Sequence, residues 1–83
     1  MPALLRAHKV SERAAGNGFD WDDMDGVLEK TKEEWFEFLE ELPLNKADRL
    51  GLEFGDLLFT LVNVARFARI HPEMALREAT LKF

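Results

Sequence analysis

EEWFEFLEELPLNKADRLGLEFGD, running from Glu33 to Asp56, carries two acidic pairs at one spacing: Glu34 with Glu37, and Glu53 with Asp56. Residues three apart lie on one face of an α-helix, one turn above the other. Pro43 and the turn Leu44-Asn45-Lys46 separate the pairs, so the pattern predicts two consecutive antiparallel helices. Packed face to face, such helices aim four carboxylates at one point. Carboxylates sharing a site disfavour one another's ionised form, and a cation relieves them. Carboxylate oxygen is the ligand type that suits Mg²⁺ and Mn²⁺. The stretch therefore reads as the centre of a helical hydrolase whose carboxylate-bound metal grips a phosphate.

Outward from it, the apolar residues keep helical spacing and no alternating strand pattern occurs, so the chain reads as all-α. Pro2 suits the first turn of a helix over about Ala3 to Ala15, with Leu4, Leu5, Val10 and Ala14 as an imperfect apolar stripe. Gly16-Asn17-Gly18 stops it. Phe19-Asp20-Trp21 forms an aromatic loop, read as a plug against the helix ends or, alternatively, as a contact for a base ring. Asp22 or Asp23 caps a second helix that reaches about Leu42, with Gly26 a mild weakness near its start. A third helix is expected over Ala47 to Ile70. Its middle, Leu57 to Ala65, is apolar nearly all round, which one small subunit can hardly cover. A dimer interface is expected there. His71 reads as a cap, and Pro72 opens a fourth helix over Glu73 to Phe83. The fold class is an all-α bundle of about four helices completed by dimerisation.

The totals narrow the function. Eighty-three residues make a single domain over 1–83. A chain this short buries only roughly 60–65% of its unfolded surface, which favours association with a second copy. There is no cysteine, hence no disulfide framework or thiolate metal site, as in a reducing compartment. No apolar run approaches the ~20 residues that span a bilayer, and no secretory signal opens the chain. A cytoplasmic location away from membranes is the expectation. Residues 20–56 hold 13 of the 16 acids and 4 of the 11 bases, a balance of −9, against +4 elsewhere. Nucleic-acid binding through a basic face is disfavoured, and holding cations is favoured.

Glu53 and Asp56 stand within a turn of Leu57 and Leu58, near the core, where acids need a partner or an ion. Arg49 and Lys46 are the alternative partners, while Glu40 and Glu41 read as a solvated face. Lys30, one turn before Glu33 and Glu34, and Lys82 near the chain end could reach a phosphate, but each also reads as an ordinary surface lysine and spacing alone picks out neither. Asn63 lies inside the apolar run and either bonds neighbouring backbone or faces the ligand pocket; it joins the candidate substrate-binding residues. His8 and His71 show no metal-ligand spacing, and no serine or cysteine nucleophile arrangement exists.

Taken in order, Glu33-Glu34-x-x-Glu37 and Glu53-x-x-Asp56 resemble the signature of all-α nucleoside triphosphate pyrophosphohydrolases. Gly18-Phe19-Asp20-Trp21, Gly55-Asp56-Leu57-Leu58-Phe59, Val62-Asn63-x-Ala65-Arg66 and Ala75-Leu76-Arg77-x-Ala79-x-x-Lys82-Phe83 narrow the resemblance to the MazG type. It runs from about Lys9 to Phe83 and is greatest to the second copy of tandem MazG proteins. The resemblance implies hydrolysis of (d)NTPs between the α- and β-phosphates, with Mg²⁺, to a monophosphate and pyrophosphate. It implies a bundle assembled by dimerisation, with sites near the interface. By position, Glu34, Glu37, Glu53 and Asp56 would ligate metal. Glu33 would orient or deprotonate the attacking water, and Lys30 and Lys82 would contact phosphates. Two departures stand out: Thr80 replaces a frequent asparagine, and the chain stops at Lys82-Phe83 where relatives continue into basic and aromatic residues. The expectation is a fragment or a single copy without that extension. The alternative to an enzyme is a non-catalytic helical dimerisation module or a degenerate copy.

Overall fold

The computed structural model describes residues 1–83 as four α-helices without strands: α1 (Ala3–Gly16), α2 (Met24–Glu41), α3 (Ala47–Phe67) and α4 (Pro72–Leu81). Local chemistry sets their ends. Asp23 caps α2, its Oδ1 accepting the Gly26 N–H at 2.9 Å, a contact worth about 1 kcal/mol. Gly26 is more than a weak helix former: a Cβ there would stand 3.3 Å from Trp21 Cδ1, so the glycine admits the indole. Pro43 turns the chain through a short 3₁₀ segment, Leu42–Leu44, which Asn45 closes in the left-handed region at φ 51°.

α3 ends three residues before the expected Ile70. Arg69 adopts φ 60°, and the Ile70 N–H turns back to the Ala65 carbonyl at 2.8 Å, a left-handed cap formed without glycine. α4 ends at Leu81 rather than Phe83. His71 is its cap, Nδ1 accepting the Met74 N–H at 3.4 Å, and its ring stacks on His8 of α1 with centroids 5.6 Å apart. No helix is long and apolar enough to cross a membrane.

α2 and α3 form the main antiparallel pair, shown by the contacts Glu41–Arg49 and Phe38–Phe54, which run in opposite chain directions. Val27, Glu34, Leu57 and Thr60 are buried along it. α1 lies on one side of this pair, joined to α3 by a polar network. Ser11 Oγ donates to Asn63 Oδ1 at 2.6 Å, and Arg66 Nε donates to Ser11 Oγ at 2.6 Å. The inward residue of α1 is thus Ser11, whereas Val10 of the expected stripe is exposed. The aromatic loop is anchored by its acid and by the half-buried Trp21 indole, which packs on Gly26 at the start of α2 as a plug would. Arg66 forks onto Asp20 with bonds of 2.9 and 2.6 Å, while Phe19 is 80% exposed and plugs nothing.

The Arg66 guanidinium holds the Asp20 carboxyl below its ordinary value. In the acid range, where the unfolded carboxyl still holds its proton, folding releases it. The stabilisation is complete above the unfolded carboxylate pKa and is lost as pH falls through the depressed folded value. Asp20→Asn is expected to cost about 1–3 kcal/mol at neutral pH, the scale of hydrogen bonds to charged groups. The cost should shrink by about pH 3. Urea unfolding of both proteins at the two pH values checks this; an equal difference at both assigns the effect to something other than the ion pair.

The opposite side of the α2–α3 pair is bare. Each helix advances 100° per residue. Leu28, Trp35 and Leu39 each stand one position beyond the buried stripe of α2, and Phe54, Leu58 and Leu61 one beyond that of α3. Because the helices run antiparallel, both rotations lead to the same side, away from α1. All six are exposed, Leu58 and Leu61 of the apolar run among them, and Phe59 of that run, elsewhere on α3, is open as well. The accessible surface is 6329 Å², about 1,200 Å² more than the roughly 5,100 Å² typical of a folded monomer of this mass.

Candidate metal centre

Glu34 and Glu37 come from consecutive turns of α2, and Glu53 from the facing turn of α3. One carboxylate oxygen from each lies within 4.8 Å of the other two. The Glu34 side chain is only 9% exposed, and its Oε2 is buried with no hydrogen-bond partner. Glu53 Oε2 is buried and unpartnered as well. Leaving such oxygens bare in the protein interior is costly. Two of them converging with a third carboxylate form a site whose chemistry fits a cation.

The electrostatics agree. The negative charge of Glu34, with burial and Glu53 adding to it, pushes the Glu37 carboxyl above its ordinary range. Lys30 is the only base paired with the group, its Nζ 3.1 Å from Glu34 Oε1 and 3.8 Å from Glu33 Oε2. The Glu34 hydrogen bond holds the Lys30 ammonium above its usual value. One ammonium against three converging carboxylates leaves the site anionic. Three carboxylate ligands can hold a divalent ion and leave positions for water and a phosphate oxygen.

The remaining predicted residues are spread more widely. Asp56 follows Glu53 by one turn but is exposed and stands outside the three-carboxylate group, contrary to the expected place near the core. Glu33 is exposed at the edge of the site, where Lys30 reaches it. Arg49 pairs with Glu41 at 3.1 Å, so it serves neither Glu53 nor Asp56, and Glu41 is no solvated acid. Asn63 takes the first of its two possible roles. Buried, it donates to the Phe59 carbonyl at 3.1 Å and accepts from Ser11 and Arg66. Its backbone stands ten residues along α3 from that of Glu53, about 15 Å of helix. Lys82 is exposed beyond α4, a helix that packs on α1 and α3.

The sequence reading missed the Asp20–Arg66 fork. Asp20 and Arg66 belong to different motifs, 46 positions apart, and only the folded chain brings them together.

Residues 23–83 match the family described as MazG nucleotide pyrophosphohydrolase domain. Over its whole length the chain is 51% identical to the nucleoside triphosphate pyrophosphohydrolase/pyrophosphatase MazG of Thermotoga maritima, covering 31% of that protein. It is 42% identical to the nucleoside triphosphate pyrophosphohydrolase of Escherichia coli K12, again along its full length and covering 32% of that protein. A shorter segment of 34 residues is 62% identical to the uncharacterized protein YabN of Bacillus subtilis. The chain thus spans less than a third of the length of the Thermotoga and Escherichia relatives. With the domain match covering most of its residues and the carboxylate group falling inside it, the chain belongs to the MazG nucleotide pyrophosphohydrolase family.

Proposed function

We propose that this chain carries out Mg²⁺-dependent hydrolysis of (d)NTPs to (d)NMP and pyrophosphate, with Mn²⁺ able to replace Mg²⁺. The observation that carries the reading is the convergence of Glu34, Glu37 and Glu53 with two buried, unpaired carboxylate oxygens. The names of the Thermotoga and Escherichia relatives supply the substrate class. When bound, the cation offsets phosphate charge and makes a coordinated water acidic. The three glutamates hold it, and Asp56, one turn from Glu53, is the proposed fourth ligand. Glu33, exposed at the rim, orients the attacking water and takes its proton. Lys30 and Lys82 contact phosphate oxygens. Positioning and charge neutralisation of this kind are most of what phosphoryl-type chemistry asks of a protein.

The same reading includes assembly. The excess surface is close to the ~800 Å² or more that each partner buries in a stable interface, and the bare apolar face of α2 and α3 supplies a place to bury it. A second copy of this chain is the proposed occupant. Asn63 and Glu37 sit three residues beyond the buried Thr60 and Glu34, a turn of −60° toward the side of α1. The carboxylates therefore open away from the apolar face, and dimerisation leaves them accessible. That face also sustains the second reading, a dimerisation module without chemistry.

Release of pyrophosphate from each dNTP, with and without Mg²⁺, separates the two. Independently of turnover, Mg²⁺ should raise the melting temperature, because a ligand at a hundredfold its Kd stabilises the native state by about 2.7 kcal/mol. A melting temperature unchanged up to millimolar Mg²⁺ at constant ionic strength counts against the site.

A further inference from the structure

We infer that Lys30 is a resident counter-ion which the divalent cation displaces from Glu34, so that the lysine is released to phosphate only once the cation is in place. The inference rests on the pyrophosphohydrolase reading above and adds an order of binding to it. Lys30 and Glu34 are four residues apart on one face of α2, and the ammonium sits 3.1 Å from Glu34 Oε1. Glu34 is also the most buried carboxylate of the three. Its Oε2 remains unpaired, so the lysine satisfies only half of it. A lysine is a compact charge on a flexible stem, suited to leaving one oxygen for another. Lys30 is 40% exposed along its side chain, which gives that stem room to move.

The charges decide the order. An ammonium and a divalent ion repel each other, and both are drawn to Glu34. The divalent ion engages three carboxylates at once, whereas Lys30 pairs with Glu34 and grazes Glu33 at 3.8 Å. The ion therefore wins Glu34 when present. The displaced ammonium then lies beside a site where an incoming triphosphate brings new anionic oxygen. Without the cation, Lys30 stays committed to Glu34 and the excess of carboxylate repels the triphosphate.

This assignment predicts effects of opposite sign from one substitution. Lys30→Met removes the competitor, so Mn²⁺, used as the probe, should bind about 3- to 10-fold tighter at about pH 8, where carboxylates are ionised. Binding of an α,β-methylene deoxynucleoside triphosphate at saturating Mn²⁺ should weaken by about tenfold or more. Isothermal titration calorimetry reads both. The melting-temperature gain on adding Mn²⁺ should also be larger in the variant than in the parent. Lys30→Arg keeps the charge and should bind Mn²⁺ like the parent, and Lys30→Gln repeats the test should the methionine variant fail to fold by circular dichroism. Mn²⁺ affinity unchanged or weakened in a folded, neutral variant overturns the inference while leaving the site itself intact. A parent that binds no Mn²⁺ overturns both the inference and the reading beneath it.

Discussion

Glu53→Gln is expected to slow pyrophosphate release by roughly a hundred- to a thousand-fold, the scale seen when one electrostatic contact to a transition state is removed. The substitution keeps side-chain volume and exchanges an anionic oxygen for an amide. Packing should survive it, since Glu53 Oε2 has no hydrogen bond in the chain to lose. The proposed metal loses one of only three convergent carboxylates. Glu40→Gln, at an exposed position of α2 outside the group, should leave the rate close to that of the parent. Equal rates for the two variants, in a parent shown to release pyrophosphate, would remove Glu53 from the site. Mn²⁺ affinity should follow the same division, which ties the rate loss to ligation rather than to some effect on product release.

The helices were legible in the sequence because their punctuation is local. Pro2, Asp23, Pro43, His71 and Pro72 each act within a turn of their own position, and each stands where the composition placed a boundary. The end of α3 was not legible, since nothing in Arg69 itself announces a left-handed residue and no glycine marks the spot. For the site, spacing gave Glu34, Glu37 and Glu53, because helical periodicity fixes which residues share a face. It could not rank their depth. Glu53 and Asp56 have equal claims in sequence, yet one carboxylate is half-buried and the other exposed, a difference set by how α2 crosses α3. The Asp20–Arg66 fork depends on long-range closure and has no local signal at all. The apolar run exceeds what one small subunit covers, and within the single chain Leu58, Phe59 and Leu61 stay exposed. Leu58 and Leu61 share one side with Leu28, Trp35, Leu39 and Phe54, because both helices turn their second apolar stripe the same way, whereas Phe59 faces elsewhere.

Leu58→Glu tests whether that side is an interface. Leu58 sits midway along α3 between Phe54 and Leu61, and it is 42% exposed in the single chain. A glutamate there costs the monomer little, since water can still reach its carboxylate. In a dimer the same carboxylate becomes buried without a partner, at about 2–5 kcal/mol. A two-fold interface contains the substitution twice, because symmetry brings the same patch from both copies. The expected result is a shift from dimer to monomer at micromolar concentration by analytical ultracentrifugation, with helical circular dichroism retained. Val10→Glu is the matched control: Val10 is equally open, at 44%, but lies on α1, across the α2–α3 pair from this side. It should sediment with the parent. A parent that is itself a folded monomer, or a Leu58→Glu variant that sediments as the dimer, would mean that the apolar side has another occupant and that two copies do not complete the bundle.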